Sequence, residues 1–295
     1  MSGSTVPVGG TLRAVPWVFV LIWSTGFVVA RLAMPHAPPM GFLAWRFGLS
    51  VVAFLAWIAW SGAAWPRGRS QWLHLAVVGL LMHAGYLGGV WVAVKAGMSA
   101  GTAALIVGLQ PVLTALWLSS RATGERVSGR QWLGLAFGLA GLVLVVWRKL
   151  GLGEASGPTL ALAVMALLCI TAGTLWQKRW VRPVDVRTSG CVQLLAALAV
   201  TVPLALQEHE PVRWTAETVF ALAWSVLGLT LAAGSLLVLM IQRGAATRVT
   251  SLMYLVPPCA ALQAWLLFDE ALTPLVLAGM ALTATGVAMV LRERG

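Results

Sequence analysis

The chain has 295 residues, 59% of them hydrophobic and only 10% charged, with a mean hydropathy of +0.87. A soluble domain carries roughly 25% charged residues, so this composition excludes a water-soluble globular protein and predicts a polytopic protein of the lipid bilayer. The formal charge of +11 would suit phosphate, but the basic residues sort by topology instead, and no nucleic-acid partner is expected.

A hydrocarbon core about 30 Å thick takes about 20 helical residues. The apolar runs predict helices over 14–34, 41–61, 72–94, 99–119 and 130–147, then over 158–177, 188–206, 217–241, 249–268 and 273–291. Barrel strands would be about ten residues long and alternating, which these runs are not. The first run lacks a short apolar region and a small-residue cleavage site, so it is expected to stay as a span. One alternate set of connections holds Arg13, Arg67, Arg69, Arg121, Arg126, Arg130, Lys178, Arg179, Arg182, Arg187, Arg243, Arg248, Arg292 and Arg294. The other holds only Arg31, Lys95, Arg148, Lys149 and Arg213. Positive connections stay cytoplasmic, which puts both termini inside and requires an even number of spans.

The second half repeats the first. Gly97 overlays Gly244, Leu105 overlays Leu252 and Pro111 overlays Pro258. After a two-residue slip, Glu125 overlays Glu270, Gly134 overlays Gly279, Ala136 overlays Ala281, Gly141 overlays Gly286 and Val145 overlays Val290. A unit of five spans enters the membrane from the opposite side when duplicated. The predicted fold is therefore an all-α integral membrane protein, ten transmembrane helices in a 5+5 inverted-topology repeat around a central cavity. Residues 1–150 form the first unit and 151–295 the second, with the substrate site between them near the midplane.

Candidate residues follow in chain order. Trp23 lies deep in the first span, beside a small-residue notch at Gly26. Arg46 sits inside the second span, where an arginine costs about 2.5–3.5 kcal/mol on insertion scales. It either snorkels to the near interface or serves the transport path, as a gate or as the partner of a substrate carboxylate. His83 and Tyr86 share one face of the third span, beside Gly85, Gly88 and Gly89, as a cavity wall or as an interhelical hydrogen-bonding pair. Gln110 precedes Pro111 in the fourth span, and Pro257 and Pro258 follow Tyr254 at the equivalent depth of the ninth. Prolines at mid-span free backbone carbonyls and kink helices. Trp176 lies in the first span of the second half.

Other chemistry is excluded or disfavoured. Asp185, Asp269, Glu125, Glu154, Glu208, Glu210, Glu217, Glu270 and Glu293 are all placed in loops, tails or span edges, so no mid-membrane carboxylate couples transport to protons or sodium. No magnesium, zinc or nucleophile motif is present; no enzyme activity, metal or cofactor is expected. Cys169, Cys191 and Cys259 form no ligand or disulfide pattern. Glu208-His209-Glu210 reads as a solvated charge run in an external loop, and Glu125 and Glu270 as helix-end caps or loop partners. The Gly134/Gly138 pair suits a helix contact within a monomer or a homodimer.

The order and spacing of these features resemble the drug/metabolite transporter superfamily, EamA-type branch. The residues carrying the likeness are Trp23-Ser24-Thr25-Gly26-Phe27, Arg46-Phe47, Gly101 to Pro111, Gly124-Glu125, Thr250 to Pro258 and Asp269-Glu270. Within it, the whole chain is most similar to YddG-type exporters of aromatic and neutral amino acids. The resemblance implies export across the bacterial cytoplasmic membrane and peripheral fifth and tenth spans. It carries the cavity role to Trp23, His83, Tyr86, Gln110, Trp176 and Tyr254. Small multidrug-resistance relatives use a glutamate in the first span; this chain has none there, which disfavours proton-driven export of cationic drugs. The expected activity is alternating-access export of amino acids such as tryptophan, phenylalanine and methionine, down the substrate gradient. The alternatives are another small metabolite or drug with proton coupling, or else a membrane enzyme or lipid flippase.

Overall fold

The computed structural model describes residues 11–110, 112–114, 117, 129–151, 156–234, 236 and 255–292. Every regular element among them is helical. The ten helices are α1 (Thr11–Ala33), α2 (Pro39–Ser61), α3 (Arg69–Lys95), α4 (Ala100–Val107, resuming after a break), α5 (Gly129–Gly151), α6 (Gly157–Trp180), α7 (Val186–Ala205), α8 (Ala216–Ala233), α9 (Val256–Phe268) and α10 (Pro274–Arg292). Each falls on one of the apolar runs. Five of them, α2, α3, α6, α7 and α8, are long and apolar enough to cross a membrane by length and composition, and the rest contain shorter apolar stretches. Their outer faces carry large bare side chains such as Trp60, Trp147 and Leu206, which suits lipid rather than water.

Local chemistry sets the helix ends. Ser99 Oγ accepts from the Thr102 N–H at the start of α4, and Thr215 does the same for Thr218 at the start of α8. Ser156 and Thr159 form a reciprocal capping box on α6. Such caps contribute about 1 kcal/mol each. Gly62, at φ +65°, closes α2 in the left-handed conformation that lacks a steric penalty only for glycine.

Two helices widen midway. Leu80–Leu87 of α3 and Ser225–Ala233 of α8 are π-helical. In the second, Thr230 Oγ1 donates to the Ser225 carbonyl at 2.9 Å, five residues back. π-Turns are rare and concentrate at functional sites. In the first, none of the residues is fully buried, although the flanking stretch Gly88–Val94 is largely enclosed.

The pairs α2/α7, α4/α9 and α5/α10 each run antiparallel. α2 and α7 are joined at one end by Thr188 Oγ1 donating to the Ala64 carbonyl (3.0 Å). At the other end, the Met40 and Gly41 N–H groups donate to the Glu208 carboxylate (3.0 and 2.7 Å). α4 and α9 cross so that a Cβ at Gly101 would lie 3.4 Å from that of Ala261. Further along the same pair, a Cβ at Gly108 would lie 2.7 Å from Pro257 Cγ. α5 and α10, the most extensively packed pair, touch the remainder chiefly through α4, which puts them at the periphery. Gly141 there rests on the Gly279 carbonyl and Thr283, while Gly286 rests on the Gly134 carbonyl and Gly138. Gly134 and Gly138 are thus occupied within the chain and are not a free dimerisation face.

Contacts of α1 and α6 correspond as well. α1 packs on α8 and α9, and α6 packs on α3 and α4. Phe42 of α2 stacks on the buried Trp91 of α3 at 4.6 Å.

One end of the bundle is tied by its connections, which corrects the reading of Glu208-His209-Glu210 as a solvated run. Glu208 caps α2 as described. Glu210 pairs with Lys95 Nζ at 2.6 Å and, more loosely, with Arg213 at 3.8 Å. Lys95 Nζ also donates to the carbonyls of Met34 (2.9 Å) and Ala37 (3.3 Å), and the Arg213 N–H donates to the His36 carbonyl (2.8 Å). Beside them, Glu270 accepts from the Ala100 N–H at 3.2 Å, the helix-end cap that its position suggests. The carboxylates face helix N-termini and cations here, and both are favourable partners for a negative charge.

Candidate functional site

Arg46 is the eighth residue of α2 and is 7% exposed. It is enclosed between helices and does not snorkel along a lipid-facing surface. Its Nε is buried with no hydrogen-bond partner, and no carboxylate among the described residues pairs with its guanidinium. One turn further along α2, the Ser50 hydroxyl is also buried and unpartnered.

The two candidates on α3 stand next to it. Tyr86 and His83 lie within electrostatic reach of the guanidinium. The Phe47 ring meets the His83 imidazole edge-on, 5.9 Å between centroids. Because His83 and Tyr86 belong to the π-helical stretch, their helix is locally wide where they face α2. Gly85, between them, lets α6 approach: a Cβ there would be 2.7 Å from Cys169 Sγ.

A residue that the sequence reading did not single out completes the group. Gln193 of α7 lies beside His83, and its Nε2 donates to Ser189 Oγ at 3.0 Å. Gly79, one turn before His83, sits directly against the Gln193 carbonyl, where any side chain would overlap it. Gln193 is the eighth residue of α7, as Arg46 is of α2. The two residues keep the same sequence offset as Gly97 and Gly244 or Pro111 and Pro258, which is the signal in the sequence that marks Gln193.

The other candidates are placed elsewhere. Gln110 donates from Nε2 to Thr174 Oγ1 of α6 at 3.0 Å. Trp176 lies near the end of α6 with His74 (5.9 Å) and Trp180 (6.1 Å), and its indole N–H has no partner. Trp23 packs on Phe19 at 5.3 Å. Its neighbours Ser24 and Thr25 reach the second half, accepting from Gln263 Nε2 (3.0 Å) and Trp224 Nε1 (2.8 Å). Arg46, His83 and Tyr86 therefore form one cluster, and Trp23, Gln110 and Trp176 are not part of it.

Tyr254, Pro111 and Glu125 lie outside the described residues. Pro257 and Pro258 are described only together with the helix that follows them. They occupy the first turn of α9, where a missing N–H sacrifices no helical bond. The break in α4 does occur beside Pro111, at Gly108–Leu109, and it meets Pro257 across the pair.

A family comparison decides what kind of protein presents this cluster. The EamA-like transporter family matches residues 14–147 and again 157–292. The chain belongs to that family. As an EamA-like membrane transporter it is similar, at 28% identity over 193 residues, to the uncharacterized inner membrane transporter YedA of Escherichia coli K12. That match takes in 65% of this chain and 60% of YedA, so the chain spans less than two thirds of that relative's length. A probable amino-acid metabolite efflux pump of the same organism is 24% identical, with 91% of this chain and 90% of the pump covered. A chloroplastic WAT1-related protein of Arabidopsis thaliana is 22% identical over 96% of this chain and 70% of its own length. A crystal structure covering 96% of this chain and 98% of its own superposes with a TM-score of 0.68 at 19% identity, which speaks for the fold alone.

Proposed function

We propose that the chain is an exporter of small neutral and aromatic amino acids, working by alternating access in the inner membrane. The observation that carries this reading is the reciprocity of the helix contacts. Exchanging each helix with the one five places along reproduces the main contacts among the described residues: α2 with α7, α4 with α9 and α5 with α10 each meet their own counterpart, antiparallel. The contacts of α1 with α8 and α9 mirror those of α6 with α3 and α4. That is the arrangement expected of ten spans in a 5+5 inverted repeat, residues 1–150 and 151–295, with a solute site where the halves meet. The tied end, holding Lys95, Glu208 and Glu210, is then the external side, and both termini are cytoplasmic. The amino-acid substrate follows the pump relative. It also suits a polar pocket bordered by Phe47 and Tyr86, with Trp23, Gln110, Trp176 and Tyr254 as further cavity residues.

Movement down the substrate gradient fits the charge distribution, because among the described residues every carboxylate sits in a connection, at a helix end or in a first turn. Purified protein in liposomes is expected to move tryptophan, phenylalanine and methionine outward without an imposed pH difference. Movement only under a proton gradient would overturn the uncoupled mechanism, and no movement of any of the three would overturn the substrate class.

A further inference from the structure

We propose that Arg46 is the anion-reading residue of the transport pocket, selecting solutes that carry a carboxylate at the end that enters between α2, α3 and α7. The inference deepens the amino-acid reading above and rests on it for the pocket. Its own evidence is separate.

A buried guanidinium offers five donors in a planar fork, the geometry that matches a carboxylate. In this structure the fork is enclosed and its Nε is unused. The two polar neighbours that reach it, His83 and Tyr86, are not carboxylates and leave its charge uncompensated. The unpartnered Ser50 hydroxyl lies one turn along the same helix. Buried donors without acceptors are costly, and persist where a ligand supplies the acceptor.

A gate would look different. The tied end shows how this chain closes contacts: Lys95 takes two backbone carbonyls and a carboxylate, and Arg213 takes the Pro35 carbonyl (3.4 Å). Arg46 takes none of these, although that end of the bundle is shut. Its counterpart in the second half, Gln193, is neutral, bonded to Ser189, and fixed by the Gly79 contact. Between the two counterparts, α2 therefore brings the charged side chain and α7 a neutral one. A zwitterion placed there directs its carboxylate to α2.

Transport by the full chain in liposomes tests this with three probes: phenylalanine, phenylalaninamide and 3-phenylpropionate. The wild type is expected to move phenylalanine at least ten times faster than the amide, and to move 3-phenylpropionate measurably. Arg46→Gln is expected to bring the phenylalanine-to-amide ratio close to one and to abolish 3-phenylpropionate movement, with Arg46→Lys in between. Continued transport of the amide by Arg46→Gln controls for folding. A variant that slows all probes equally, or loses every probe while Arg46→Lys keeps the wild-type ratio, overturns the proposal in favour of a structural role. A wild type that ignores phenylalanine but moves 3-phenylpropionate in an Arg46-dependent way refutes the amino-acid reading and leaves this inference standing. A wild type that moves no carboxylate probe refutes the inference.

Discussion

Two of the antiparallel helix pairs in this molecule, α5/α10 and α2/α7, show opposite chemistry at their contacts. In α5/α10 both partners present glycine at the crossing: Gly141 meets the Gly279 carbonyl, and Gly286 meets the Gly134 carbonyl. In α2/α7 the equivalent eighth residues are Arg46 and Gln193, one charged and unpartnered, the other neutral and bonded. Where symmetry is kept, the contact is backbone on backbone and serves as a scaffold. Where it is broken, polar side chains enter the interior. Without a hydrophobic drive between helices in lipid, small residues that permit close approach hold such pairs together, so the glycine pair has no room for a side chain on either helix.

The largest expected effect comes from breaking the symmetric pair. Gly141→Leu and Gly286→Leu each force a side chain into an opposing carbonyl, which only backbone movement can relieve. Overpacking costs about 1–3 kcal/mol and sometimes more, and the upper end applies here because each glycine lies closest to a main-chain carbonyl of the opposite helix. Both variants should lose most of the monodisperse fraction on size exclusion in detergent, and to similar extents. A large loss for one and none for the other would mean that the two contacts are not equivalent.

A smaller effect tests what holds α2 beside α7. Glu208→Ala removes the acceptor for the Met40 and Gly41 N–H groups in the first turn of α2. At about 1 kcal/mol for each lost cap, the thermal midpoint should fall by several degrees. Glu210→Ala, which breaks a part-exposed pair with Lys95, should cost less, as exposed ion pairs contribute about 0–1 kcal/mol. Equal effects from the two variants would show that the cap is no more than a surface charge.

Much of this was legible in the sequence, for reasons that differ by feature. Apolar run length reports helices directly, so all ten helices fall on predicted runs. Three-residue spacing put His83 and Tyr86 on one face, and an arginine within an apolar run marked Arg46. The matched glycines pointed to close packing but not to their partner, since Gly134 and Gly138 read equally well as a face for a second copy. Contacts between distant connections left no local trace: nothing near Glu208 indicates that it caps a helix beginning at Pro39. The π-helical stretches were hidden as well, because a widened turn changes the hydrogen-bond register without changing composition. Gln193 escaped because glutamine in a span is a weak signal alone; only as the counterpart of Arg46 does it stand out.

The smallest effect is expected at the opposite end of α7, where Asp185 caps the helix. Its carboxylate accepts from the Arg187 N–H (2.9 Å) and from the Arg187 Nε and Nη2 (2.9 and 2.6 Å). These bonds to the Arg187 side chain, more than the helix N–H, hold the Asp185 carboxyl below the usual carboxylate range. A depressed value means that the contribution is present above the unfolded value of about 3.9 and is lost as pH falls through the lower folded one. Asp185→Asn keeps a competent cap and removes only the charge, which at a site 27% exposed should cost less than about 1 kcal/mol. The difference in thermal midpoint between wild type and variant should hold steady between pH 6 and 8 and shrink below pH 4. A difference that widened on acidification would mean that the carboxylate is disfavoured in the fold, and that α7, unlike α2, gains nothing from a charged cap.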